Sequence, residues 1–140
     1  MLDPAGTLHC INTFDDRVEV SQSENMLKTF SSNVCEVIGP HQKWKTYSMN
    51  SEIALSQLRA TVPMPQYDFI YIDGDHSEGG VYADAVDSWP LVAIGGIVLF
   101  DDFLYVHPTE KTRLGIEKLL GKTQCDVLFQ NHQLAVRKGA

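Results

Sequence analysis

The sequence has no surplus of basic residues: 11 Lys and Arg stand against 18 Asp and Glu, a formal net charge of −7. Holding nucleic acid through its phosphates needs the opposite balance, so a general nucleic-acid binder is excluded. Cysteine is scarce. Cys10, Cys35 and Cys125 are odd in number, widely spaced and without a C-x-x-C pair. That pattern excludes a disulfide framework, makes a thiolate metal site a poor reading, and fits the reduced thiols of a cytoplasmic protein. No apolar run approaches the roughly 20 residues of a membrane span. The first residues also lack the basic and apolar regions of a signal peptide. Neither a nucleic acid nor a membrane is an expected partner.

What is present is an ordinary globular composition, 44% hydrophobic and 21% charged over 140 residues. That length suits a single domain over residues 1–140 that buries about two-thirds of its unfolded surface. The chain is organised around Tyr67-Asp68-Phe69-Ile70-Tyr71-Ile72-Asp73-Gly74-Asp75-His76. A short β-branched and aromatic run reads as a strand buried on both faces, inside a parallel sheet. Its abrupt polar stop delivers carboxylates and an imidazole to the strand's carboxyl end, the edge where open α/β sheets bind ligands. Gly95-Gly96-Ile97-Val98-Leu99-Phe100 followed by Asp101-Asp102 repeats the event. Two neighbouring strands of this kind give one acidic rim.

In chain order, Thr7 to Asn12 reads as a strand. The capping box Ser21-Gln22-Ser23-Glu24 then opens a helix that carries Met26, Leu27, Phe30 and Val34 and stops at Gly39-Pro40. Lys43 to Met49 is a second strand. Asn50 or Ser51 caps a helix with Leu55, Leu58 and Val62 inward, ended by Pro63 and Pro65. After the central strand, Tyr82, Ala85, Val86 and Trp89 form one helical stripe, and Pro90 to Gly96 leads into the strand ending at Asp101. Thr109 to Leu120 reads as a helix, and Asp126–Gln130 with Gln133–Arg137 as a hairpin. Alternating strands and helices closed by an antiparallel hairpin predict an α/β fold with a mixed sheet.

The run from Tyr67 to His76, with Asp84, Trp89-Pro90, Gly95-Gly96 and Asp101-Asp102-Phe103, resembles the carboxyl half of class I S-adenosylmethionine-dependent methyltransferases. The resemblance is to the metal-dependent O-methyltransferases that modify sugars in macrolide and aminocoumarin antibiotics. It implies a Rossmann-like fold with a mostly parallel sheet, S-adenosylmethionine as cofactor, Mg²⁺ or a similar cation, and a hydroxylated small-molecule substrate. Carried across by position, the metal ligands fall on Asp73, Asp101 and Asp102. The general base falls on Asp75, with His76 beside it. The ribose contact falls on Asn12 and the adenine contact on Asn50, followed by Ser51, each Asn replacing the family's acidic residue. The family's first motif, a strand and glycine-rich turn, has no counterpart before residue 7. That implies a domain without its first βα unit and a sheet with bare edges, which favour a homo-oligomer.

Three functions fit these residues. The first is a metal-assisted O-methyltransferase. The second is a non-catalytic remnant or binding module of the same fold. The third is a phospho-acceptor domain, against which stands the lack of a lysine at the end of a later strand. Strand-end aspartates can also simply cap helices. His9, His41, His107 and His132 form no cluster in the sequence and read as surface or packing residues.

Overall fold

The computed structural model describes residues 6–14, 20–105 and 111–140. The chain divides into two compact units, Met1–Ala54 and Leu55–Ala140.

In the first unit, β1 (Thr7–Asn12) and β2 (Lys43–Ser48) pair in parallel, from Thr7 opposite Lys43 to Asn12 opposite Ser48. Parallel neighbours need a crossover, and α1 (Val20–Val37) lies on that connection. The helix already runs through residues 21–24, so the Ser21–Glu24 stretch lies inside it rather than in front of it. Its end is where Gly39 predicts: the Gly39 N–H donates to the Gln42 side chain at 2.8 Å. The Phe30 ring lies tilted at 5.3 Å from Phe14 and edge-on at 6.3 Å from Trp44, between centroids, and Phe14, Val34 and Tyr47 are buried.

The division falls within α2 (Ser51–Ala60), whose first turn is fixed by the Ala54 N–H donating to the Asn50 carbonyl at 3.1 Å. Leu55 and Leu58 are buried as the helical spacing predicts. Val62 is 93% exposed instead. The helix ends at Ala60, so the spacing no longer governs where that side chain points.

The second unit holds β3 (Tyr67–Ile72), α3 (Glu78–Ser88), a 3₁₀ turn at Trp89–Leu91, β4 (Val92–Phe100), α4 (Thr112–Leu120), β5 (Cys125–Gln130) and β6 (Leu134–Lys138). The sheet order is β3-β4-β6-β5, with β3 parallel to β4 and β6 antiparallel to both β4 and β5. This is the mixed sheet with a closing hairpin that the sequence predicts. Ile72, Val98, Phe100, Leu134 and Val136 point to one face and pack with Val81 and Ala85 of α3 and with Ile116 and Leu119 of α4. The two helices meet closely at Gly115, where a Cβ would lie 2.4 Å from Val81 Cγ1 and 2.5 Å from the Glu78 carbonyl oxygen.

Three sequence expectations change. First, β3 has one hydrogen-bonded neighbour among the described residues and stands at the edge of its sheet, not in the interior. Second, Phe69 and Tyr71 are 52% and 47% exposed, because strand side chains alternate and the core helices cover only the Ile70 and Ile72 face. Val86 of α3 is likewise exposed. Third, β4 begins at Val92, ahead of Gly95-Gly96. The pairing jumps from Tyr67 opposite Val92 to Phe69 opposite Ile97, and the bulge this creates is turned by Gly95 at φ 81°. The expected helix start at Thr109 lies outside the described residues, and α4 is described from Thr112.

Candidate metal and substrate site

Because β3 and β4 run in the same direction, with Ile72 opposite Phe100, the residues that follow each strand emerge on one edge. The Asp101 N–H continues the ladder by donating to the Ile72 carbonyl at 3.0 Å. Tyr71 reaches along this edge. Its hydroxyl donates to the Asp101 carboxylate and lies 3.5 Å from Asp73 Oδ2. That hydrogen bond, more than burial, drives the phenol well above its ordinary range and holds the Asp101 carboxyl below its own. The Asp102 N–H, at 2.9 Å, and the Gln133 amide, at 3.2 Å, reinforce the lowering at Asp101.

Asp102 takes a left-handed φ of 52°, a conformation Asp tolerates better than most residues. Its two oxygens face different imidazoles. Asp102 Oδ2 is 3.3 Å from His76 Nε2, which also lies 3.7 Å from Asp73 Oδ1. Asp102 Oδ1 is 3.0 Å from His132 Nε2. Among the described residues, two groups could therefore hold an ion, Asp73–His76–Asp102 and Asp101–Asp102–His132, with the donor atoms of each within 4.8 Å of one another.

The turn that carries His76 is anchored on both sides. The His76 carbonyl accepts from the Lys111 N–H at 3.0 Å and the Thr112 hydroxyl at 3.2 Å, at the start of α4. Asp75 accepts from the Ser77 N–H at 2.8 Å and the Ser77 hydroxyl at 3.0 Å. Ser77 in turn caps α3 through the Gly80 N–H at 3.0 Å. A Cβ on Gly80 would lie 2.2 Å from Asp75 Oδ2, so the glycine makes room for this carboxylate. Asp75 thus shapes the turn and the helix start, while His76 faces the rim carboxylates.

The expected cofactor contacts belong to the first unit. Asn12 ends β1 opposite Ser48, the last residue of β2, and Asn50 and Ser51 follow at the start of α2. The three therefore share the carboxyl edge of that parallel pair. The Asn12 side-chain oxygen accepts from the Phe14 N–H at 2.7 Å, a turn that places the buried Phe14 ring at φ 54°. An open depression beside it is lined by Asn12, Phe14, Asn25, Met26, Phe30 and Asn33.

With this geometry in place, comparison with known proteins is decisive. The model of a family described as "Methyltransferase domain" matches residues 2–103. The chain belongs to that family. Its fold is the Rossmann-like methyltransferase fold, shared with several solved O-methyltransferases. The TDP-rhamnose 3'-O-methyltransferase of calicheamicin biosynthesis, in its apo form, aligns at TM-score 0.63 and 15% identity over 99% of this chain and 60% of its own. The O-methyltransferase from Bacillus cereus in complex with SAH aligns at 0.60 and 16%, over 96% and 74%. The mycinamycin-pathway methyltransferase solved with Mg, SAH and mycinamycin VI aligns at 0.61 and 15%, over 98% and 45%. At these identities the likeness is one of fold, and the chain spans about 60% of the calicheamicin enzyme. No curated protein matches the sequence.

Within this methyltransferase domain, three rim residues escaped the sequence reading, Tyr71, His132 and Gln133. Tyr71 was legible: it lies two residues before Asp73 on one strand, hence on the same side. His132 and Gln133 were not. They reach the rim because the antiparallel register, extended two residues beyond Phe100 opposite Leu134, brings Asp102 to His132 and Asp101 to Gln133.

Proposed function

We propose that the chain carries the cation- and substrate-binding rim of an S-adenosylmethionine-dependent O-methyltransferase acting on a hydroxylated small molecule. The observation that carries this reading is the convergence of Asp73, Asp101, Asp102 and His76 on the carboxyl edge of β3 and β4 in a methyltransferase-family chain. The donor set fits a divalent cation, since carboxylate oxygens and open rim positions suit an ion that keeps several waters. Asp73, Asp101 and Asp102 would hold it. Once bound, it would lower the pKa of a coordinated substrate hydroxyl.

The chain's own residues do the rest. His76 Nε2 accepts the hydroxyl proton, and Asp102 and Asp73, at 3.3 and 3.7 Å, stabilise the imidazolium that results. Asp75 keeps the His76 turn in place through Ser77 and is the second candidate for the base. Tyr71 and Gln133 orient the Asp101 carboxylate. Asn12, Asn50 and Ser51 bind the nucleoside part of the cofactor through neutral hydrogen bonds. Three free cysteines fit a reducing, cytoplasmic setting, and among the described residues no helix is long and apolar enough to cross a membrane.

The test is transfer of a labelled methyl group from S-adenosylmethionine to small vicinal diols, with and without Mg²⁺. Cation-dependent transfer that a chelator stops is the expected result. Transfer indifferent to chelation would remove the metal from the reading, and no transfer at saturating cofactor would remove the activity.

A further inference from the structure

We infer that His132 is itself a ligand at this rim, so the site takes a first-row transition ion of the Zn²⁺ and Co²⁺ class through mixed oxygen and nitrogen donors. This rests on the reading that the acidic rim binds a cation. His132 sits on the β5–β6 turn, remote in sequence from the aspartates, and three features of that turn fix it against them. The Phe103 N–H donates to the His132 carbonyl at 2.7 Å, locking the turn to the segment after β4. The Gln133 amide holds Asp101 Oδ1 at 3.2 Å. His132 Nε2 then lies 3.0 Å from Asp102 Oδ1. Two ligands of one cation, each about 2.1 Å from it and at octahedral or tetrahedral angles, stand roughly 3.0–3.4 Å apart. The His132–Asp102 spacing falls in that range, and the donor atoms of Asp101, Asp102 and His132 all lie within 4.8 Å of one another.

The chemistry of the donors selects the ion. Carboxylate and water alone suit Mg²⁺, whereas a neutral imidazole favours zinc, cobalt, nickel or copper. Asp101 is already ordered by Tyr71 and Gln133, the kind of outer partner that orients a metal-binding carboxylate. The His132 side chain is 63% exposed, which leaves an entry path for a hydrated ion.

The experiment titrates the purified chain with Co²⁺, following visible absorption and calorimetric heat, and separately with Mg²⁺. Wild type, His132→Ala and Asp102→Asn are compared. We expect Co²⁺ to bind at least tenfold more tightly than Mg²⁺. His132→Ala should lose about tenfold or more in Co²⁺ affinity and shift the absorption bands, with Mg²⁺ affinity unchanged within about twofold. If His132→Ala keeps the Co²⁺ spectrum and affinity while Asp102→Asn loses them, the histidine is no ligand and the cation site stands. If neither ion binds wild type, both the inference and the reading beneath it fall.

Discussion

The Tyr71 hydroxyl on β3 donates to the Asp101 carboxylate at the end of β4, tying together the two strand ends that make the acidic rim. The bond holds the Asp101 carboxyl below its ordinary value of 3.8. A carboxylate whose pKa is depressed by folding adds stability above its unfolded pKa and loses it as pH falls through the folded value. Tyr71→Phe should therefore melt below wild type at neutral pH, with the gap closing under acid conditions below about pH 4. With Asp101 in its proposed role as a cation ligand, the same change should weaken cation binding by about tenfold or more. A constant gap from pH 7 to pH 2 would show that Tyr71 acts by packing alone.

His9 predicts a second pH dependence, in the first unit. Desolvation lowers its pKa, and the neighbouring Lys45 lowers it further. The ring lies edge-on to Tyr47 at 5.6 Å. A depressed histidine is neutral in the fold, so its contribution is complete above the unfolded pKa of about 6.5 and is lost as pH falls below that. Melting curves at pH 7.5 and pH 5 should separate more in wild type than in His9→Gln. Equal separation would place the pH sensitivity elsewhere.

The close approach at Gly115 makes the third expectation a matter of packing. A methyl there would press on Val81 and on the Glu78 backbone. Gly115→Ala should destabilise by roughly 1–3 kcal/mol, the usual range for overpacking, despite the better helix propensity of alanine. Denaturant unfolding reads this directly, and a stabilised variant would mean that α3 and α4 can move apart at no cost.

The open edge of β3 carries the fourth. Its outward backbone groups have no strand partner among the described residues, and Phe69 and Tyr71 lie exposed beside it. Such an edge recruits other strands. Light scattering over a concentration series should show self-association, weakened when Phe69, whose N–H points away from β4, is replaced by Pro. A monomer at every concentration would contradict this.

Much of this molecule could be read from residue order. The acidic rim follows from two apolar runs that each end in acid, and the hairpin from paired alternating runs around Asn131-His132. The edge position of β3 was hidden, because an apolar run shows that a strand can be buried but not whether neighbours cover it. His132 was hidden for another reason. Its place beside Asp102 comes from an antiparallel register between segments some thirty residues apart, which no local pattern encodes.

Cofactor affinity tests the first unit. Asn12 and Asn50 offer neutral amides, and the Asn12 oxygen already accepts from Phe14. Losing a charge-assisted hydrogen bond typically costs about 1.5–3 kcal/mol. Calorimetry should therefore give weak S-adenosylmethionine binding with or without Mg²⁺, and a low-micromolar dissociation constant would show that other contacts make up for the missing charge.

The central claim is that the rim binds a divalent cation through Asp102 and its neighbours. Calorimetric titration of Mn²⁺ into the wild-type chain and into Asp102→Asn tests it most directly. The account predicts saturable one-ion binding to wild type that is lost in the variant, both chains remaining folded. Equal heats from the two chains, or none from wild type, would contradict it.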